Sequence, residues 1–210
     1  MLFRSGQVGK SLAFVNWVND AWMDIQQKHP DWLFMRPSFT VNTTASNGNY
    51  LFSACTDVPT AAAISAFRYW HRDTLKIYLT SGGVGGERHL PYIPYSAWYT
   101  VYNTNTQTDS TPVLFTIANN RSLNIAPKPN GIFTITGEYQ KTATQLSGNA
   151  ALPSLPTEYH DAIVYRALMF YAMNEEISFL YQTAEKEFKA IIGRMTLSQL
   201  PELAMAEPLT

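Results

Sequence analysis

One cysteine, Cys55, stands in the 210 residues, so no disulfide can close within the chain and no cysteine-built zinc knuckle is available. A reducing compartment is the default for such a sequence. Charge of one sign is missing too: 15 Lys and Arg face 16 Asp and Glu, a net charge of −1. That excludes the global basic field with which phosphate-gripping proteins hold nucleic acid. No run of roughly 18 apolar residues occurs, so no membrane span is expected. The opening MLFRSGQVGK lacks the charged and apolar regions of a secretory signal, so a soluble protein made in the cytosol is expected.

Catalytic patterns are equally scarce. His29, His71, His89 and His160 match no metal-ligand spacing. His160 lies in Glu158-Tyr159-His160-Asp161, where a charge-balanced helix start explains it better than a general base. Gly82-Gly83-Val84-Gly85-Gly86 lacks the lysine and hydroxyl of a phosphate loop and reads as a flexible hairpin connection. Ser81-Gly82-Gly83 is no nucleophile elbow, and Cys55-Thr56-Asp57 shows no paired base. Arg68, Arg72, Lys76 and Arg88 with Tyr69 and Trp70 fit a basic aromatic stripe for single-stranded nucleic acid, and fit a half-exposed strand equally well. No enzyme, metal or cofactor is implied.

What is present is apolar material, 46% hydrophobic and 13% aromatic, enough for a core in one or two domains. The longest helical pattern runs from Pro156 to Arg194. Ile177, Leu180, Tyr181, Ala184, Phe188, Ile191 and Ile192 form one stripe, while residues 162–173 are apolar nearly all round. Asn174-Glu175-Glu176 breaks the run, which predicts an antiparallel helix pair. Residues 8–29 predict a third helix. Its inner face is Val8, Leu12, Val15, Val18, Trp22 and Ile25, with Asn16, Asn19, Asp20, Gln26 and Gln27 able to face water. His29-Pro30 ends it. A lone helix cannot bury such a face, so the two ends of the chain should close one bundle, with Trp22 and Phe188 in the same core.

From Asp31 to about Leu155 the texture is β. Short runs rich in β-branched and aromatic residues (Trp32–Val41, Tyr50–Ser53, Ile64–Trp70, Leu75–Leu79, Pro112–Ile117, Ser122–Ile125, Gly131–Tyr139) alternate with Gly, Pro, Asn and Ser turns. Pro94–Tyr102 predicts a short helix, with an aromatic strand as the rival. The expected fold class is therefore α+β: a helical bundle from residues 1–30 and 156–194, an inserted antiparallel β-rich domain over 31–155, and a tail over 195–210. In the tail Leu197, Leu200 and Leu203 recur every third residue until Pro201 interrupts. It is suited to dock in a partner's groove or to fray without a role. Residues 156–210 carry four basic and eight acidic side chains, a balance of −4.

Several stretches together resemble the head–tail adaptor (connector) proteins of tailed bacteriophages, of the tail-tubular or gatekeeper type. They are Val15-Asn16-Trp17-Val18-Asn19-Asp20-Ala21-Trp22 with Ile25-Gln26, then Trp32-Leu33-Phe34-Met35, Ser122-Leu123-Asn124-Ile125-Ala126-Pro127 with Pro129, and Leu155–Leu168 followed by Tyr181 and Ala184-Glu185-Lys186-Glu187-Phe188. The resemblance implies a virion structural protein of the neck, synthesised in the host cytoplasm. It implies a ring, commonly a dodecamer, that binds beneath the portal protein and offers a platform to a tail or nozzle protein. The ring would assemble after DNA is packaged, and double-stranded DNA would transit the lumen, without specific binding, on ejection. By the same resemblance the C-terminal segment docks on the portal, which assigns Leu197, Leu200, Leu203 and Met205 as anchors. An acidic lumen would repel passing DNA, and Glu175, Glu176, Glu185 and Glu187 are its candidates. A rival reading makes the β part a carbohydrate- or peptide-binding module of a virion or cell-surface assembly, with Trp70, Tyr92, Tyr95, Trp98, Tyr99 and Tyr102 in an exposed row.

Overall fold

A computed structural model describes residues 5–104, 107–148 and 151–201. Contacts between backbones divide the chain into two units: the described residues of Met1–Met35 with those of Ala143–Thr210, and Arg36–Thr142.

The first unit is helical. Helix α1 spans Ser5–Lys28, α3 spans Asp161–Asn174 and α4 spans Ser178–Gln199. A turn at Glu175–Ile177 reverses the chain between α3 and α4, so the long apolar run folds into an antiparallel hairpin. Ala21, Trp22 and Ile25 of α1 meet Ala162, Ile163 and Met169 of α3 and Ala184, Phe188, Ile191, Ile192 and Met195 of α4 in one buried cluster. Trp22 and Phe188 thus share a core, each large side chain contributing roughly 1.5–3 kcal/mol. Trp32 closes it from a short 3-10 turn, its Nε1 donating to the Ile25 carbonyl at 2.9 Å. Asp24 pairs with Arg166 at 2.9 Å, and that guanidinium lies over the Phe170 ring at 4.6 Å.

Two expectations about α1 change. Gln26 does not face water: it is 3% exposed, donating to the Thr144 carbonyl at 2.9 Å and accepting from the Thr144 amide at 3.1 Å. Asn19 likewise accepts from the Leu146 amide at 3.0 Å. These amides hold the extended segment after residue 142 along the helix, where its backbone groups would otherwise lack partners. Val15 and Val18, on the expected inner face, stay 41% and 36% exposed, and among the described side chains of α1 the buried core begins at Ala21. Val8 and Leu12 of that face lie outside the described side chains.

The second unit is antiparallel β. A seven-stranded sheet runs in the order β4 (Ala62–Ala63), β3 (Thr56–Asp57), β1 (Ser38–Asn42), β10 (Phe133–Gln140), β6 (Lys76–Leu79), β7 (Arg88–His89), with β5 (Tyr69–Trp70) on the end of β10. The register sets Thr40 against Thr136 and Ile135 against Ile77. A second sheet orders β2 (Asn49–Tyr50), β9 (Leu123–Ala126) and β8 (Leu114–Ile117). Phe39, Ile77 and Ile135 of the first sheet, with Leu75 just before β6, share one core with Tyr50, Phe115, Leu123 and Ile125 of the second. The strands are shorter than the β-like runs of sequence; Ile64–Trp70 condenses to β5, although Ile64 and Phe67 remain in the core. Pro94-Tyr95-Ser96-Ala97-Trp98-Tyr99-Thr100-Val101-Tyr102 is helical: α2 is Tyr95–Tyr102, entered from Pro94. The glycine-rich stretch forms two successive 3-10 turns, Thr80–Gly82 and Val84–Gly86, between β6 and β7.

Candidate functional site

Position by position, the helical unit leaves several large apolar side chains uncovered. Leu197 is 88% exposed on the outer face of α4, whereas Leu200, just past the helix, is half-buried against the helical core. Leu203 and Met205 lie outside the described residues. The tail begins later than residue 195: α4 continues to Gln199, Met195 is fully buried, and Ser198 Oγ shares a 2.7 Å hydrogen bond with Tyr159. Phe179, at the start of α4, is 81% exposed. A groove of about 450 Å³ runs beside Phe14, Val15 and Val18 of α1, bounded by Leu146 and Ala151.

The four candidate carboxylates do not gather on one face. Glu175 and Glu176 are exposed on the turn between α3 and α4, where Glu176 takes a left-handed φ of 56°. Glu185 is paired with Lys189 at 2.8 Å, which raises the lysine's pKa through the hydrogen bond and the carboxylate charge. Glu187, two residues on, points about 200° around the helix from Glu185. Between them the exposed face of α4 carries Lys186, Lys189 and Arg194.

In the β unit the six aromatics of the rival reading separate. Trp70 is 3% exposed, its Nε1 donating to the Arg121 carbonyl at 2.8 Å. Tyr92 is half-buried on the β core, under the Arg72 guanidinium at 4.3 Å. Tyr95 and Trp98 stack at 5.9 Å on α2, and only Tyr99 is more than half exposed, at 54%. The row is therefore broken at its first member, because Trp70 is needed beneath the sheet.

The basic stripe also breaks up, and a different grouping replaces it. Lys76 pairs with Glu87 at 2.9 Å, and Arg88 donates to the Pro112 carbonyl. Arg68 and Arg72 are joined instead by Arg121 from the β8–β9 connection around a groove of about 500 Å³, with Tyr69, Ile117 and one carboxylate, Asp73. The ion pairs of Arg36, Lys76, Lys141, Arg166 and Lys189 engage cations other than these three. Sequence spacing gave no hint of Arg121, which lies about fifty positions from Arg72 and is brought there by strand pairing.

Groups with chemical potential are mostly used internally. Burial pushes the Cys55 thiol up to about 12, far from a thiolate at neutral pH. Asp57 is 3% exposed and accepts from Thr60 Oγ1 at 2.6 Å and Tyr139 OH at 3.1 Å, with Lys141 Nζ at 3.4 Å. Burial raises the Tyr139 phenol's pKa, and the Asp57 charge adds to the rise. His160 meets the Leu155 carbonyl at 2.9 Å, at the entry to α3. Among the described residues no cluster of His, Cys, Asp or Glu is placed to hold a metal, and no helix is long and apolar enough to cross a membrane. Comparison with protein families matches residues 7–207 to the model described as SU10 adaptor protein. No curated protein matches the chain.

Proposed function

The chain belongs to the SU10 adaptor protein family, a family of phage head–tail adaptors, and on that premise we propose that it forms a ring beneath the portal and joins the capsid to the tail. Its structural role in a phage virion follows from the family; ring, portal contact and DNA passage are the proposal. The observation that carries it is a family match over residues 7–207 on a helical body that leaves Phe14, Phe179 and Leu197 uncovered in the single chain. A closed ring requires two different faces on each protomer, one meeting the other on the next copy.

The C-terminal segment is the portal anchor. Leu197 on α4 and Leu200 at its end, with Leu203 and Met205 beyond Pro201, supply the apolar contacts. Tail or nozzle protein meets the opposite end of the ring, and double-stranded DNA passes the lumen without specific contacts. The acidic excess of residues 156–210 repels the duplex at long range, whereas a basic wall would retain it in a salt-dependent way.

Light scattering after size-exclusion chromatography, with and without purified portal, tests this. The full chain is expected to co-elute with the portal as a ring. Deleting residues 202–210 is expected to abolish co-elution while leaving the melting temperature unchanged. Portal decoration by the truncated chain would overturn the anchor; absence of any portal binding by the intact chain would overturn the reading. Truncation at residue 195 is the wrong test, since it also removes the buried Met195.

A further inference from the structure

Four non-glycine residues among those described hold a left-handed backbone: Ser46, Ala61, Arg121 and Glu176, with φ between 53° and 65°. For a side chain with a Cβ that conformation is unfavourable, and it persists where surroundings demand it. Two of the four are charged, of opposite sign, and both are exposed in the single chain. Arg121 follows the tight turn between β8 and β9, its amide bonded to the Ala118 carbonyl at 2.8 Å, at a position where glycine or asparagine is favoured. Its side chain completes the groove with Arg68 and Arg72. Glu176 sits in the turn between α3 and α4 beside Glu175, with the exposed Ile177 and Phe179 immediately after it.

The two surfaces are complementary in both charge and apolar character. The groove is lined by three arginines and one acidic residue, Asp73, with Phe67 and Ile117, and the Arg72 guanidinium also covers the Tyr92 ring at 4.3 Å. Guanidinium binds carboxylate through paired N–H donors, so arginine is suited to receive glutamate side chains. The turn offers two carboxylates and a phenyl ring that is 81% exposed in the single chain.

We propose that the Glu175–Phe179 turn of one copy docks in the Arg68–Arg72–Arg121 groove of a second copy. The contact is heterologous, and repeating it generates an assembly of copies in which each has one turn and one groove engaged. This rests on the ring reading above and names which surfaces would close the ring. It also places Glu175 and Glu176 against arginine, away from the DNA path.

Charge exchange in the full-length chain tests it, with assembly on purified portal followed by light scattering and negative-stain microscopy. Glu175→Arg with Glu176→Arg, and separately Arg72→Glu with Arg121→Glu, are each expected to weaken assembly by about tenfold or more. All four exchanges in one chain are expected to restore it, which a loss of folding would not. In a second arm, a Glu176→Cys copy and an Arg72→Cys copy carrying a different tag cross-link under mild oxidation, whereas Val84→Cys in place of Arg72→Cys does not. Cys55 is buried and does not compete. Assembly unchanged by both reversals overturns this contact and leaves the ring reading standing. Failure of the unaltered chain to assemble on portal overturns the ring reading, and this contact with it. Rings that form normally with Arg72→Glu and Arg121→Glu but lose bound DNA would make the groove a nucleic-acid surface and overturn the assignment.

Discussion

Cys55 is 1% exposed, and its thiol is raised from 9.0 to about 12 by burial alone. Folding therefore favours the protonated thiol. The associated stability is fully present below pH 9.0 and is lost as pH rises toward 12. Tyr50 and Tyr139 act in the same direction, each raised chiefly by burial. Urea midpoints measured across this range are expected to fall from about pH 9 upward, and Cys55→Ala should flatten part of that fall. At pH 8 the folded protein should resist iodoacetamide and the urea-unfolded protein react with it. Asp57 is the other residue whose role is internal. Replacing it with Ala removes the acceptor for Tyr139, Thr60 and Lys141 together, at an expected cost of about 3 kcal/mol by urea unfolding. Its place in the sequence, Cys55-Thr56-Asp57, gave no sign of this, because Tyr139 and Lys141 lie more than eighty positions away and only Thr60 is local.

Among the elements, β10 carries the most pairing: β1 on one edge, β6 on the other and β5 at its end. Gly137 lies within it where a Cβ would come 3.0 Å from Phe39 Cε1 and 3.2 Å from Leu75 Cδ1. Gly137→Ala is expected to cost about 1–3 kcal/mol through overpacking, measured by thermal unfolding. The alternation of residues 131–139 was visible in the sequence, and so was the helical stripe of α4. The stripe of α4 belongs to an element with one face buried and one free, whereas β10 is buried along most of both faces, Thr134 and Gln140 included. Harder to see was the fate of Gln26. An amide at a buried helix position looks like a solvent-facing residue until the strand-like segment it binds, around Thr144, is in place. Val15 and Val18 failed in the opposite sense. Their spacing matches a core face, yet they remain 41% and 36% exposed among the described residues.

Among the described residues the buried apolar side chains form two cores, one for each unit, and they share no residue. The β unit is contiguous in sequence, Arg36–Thr142, while the helical unit draws on both ends of the chain. A fragment of residues 36–142 is accordingly expected to fold alone, with a cooperative thermal transition and the chemical-shift dispersion of a β core. Either helical piece alone, lacking the other's half of the apolar face, should not fold. An unfolded 36–142 fragment would mean that its core depends on the helices.

By itself the sequence determined the fold class, the helical pairing of the two ends and the kinship with head–tail adaptors. These rest on local periodicity, on turn residues and on similarity along the chain, all of which are properties of neighbouring positions. Tertiary structure decided which charges face one another. Arg121 joins Arg68 and Arg72, Trp70 leaves the aromatic row, and the four glutamates part company. Side chains far apart in sequence become neighbours only when strand register and helix phase are set together, and no linear spacing encodes that.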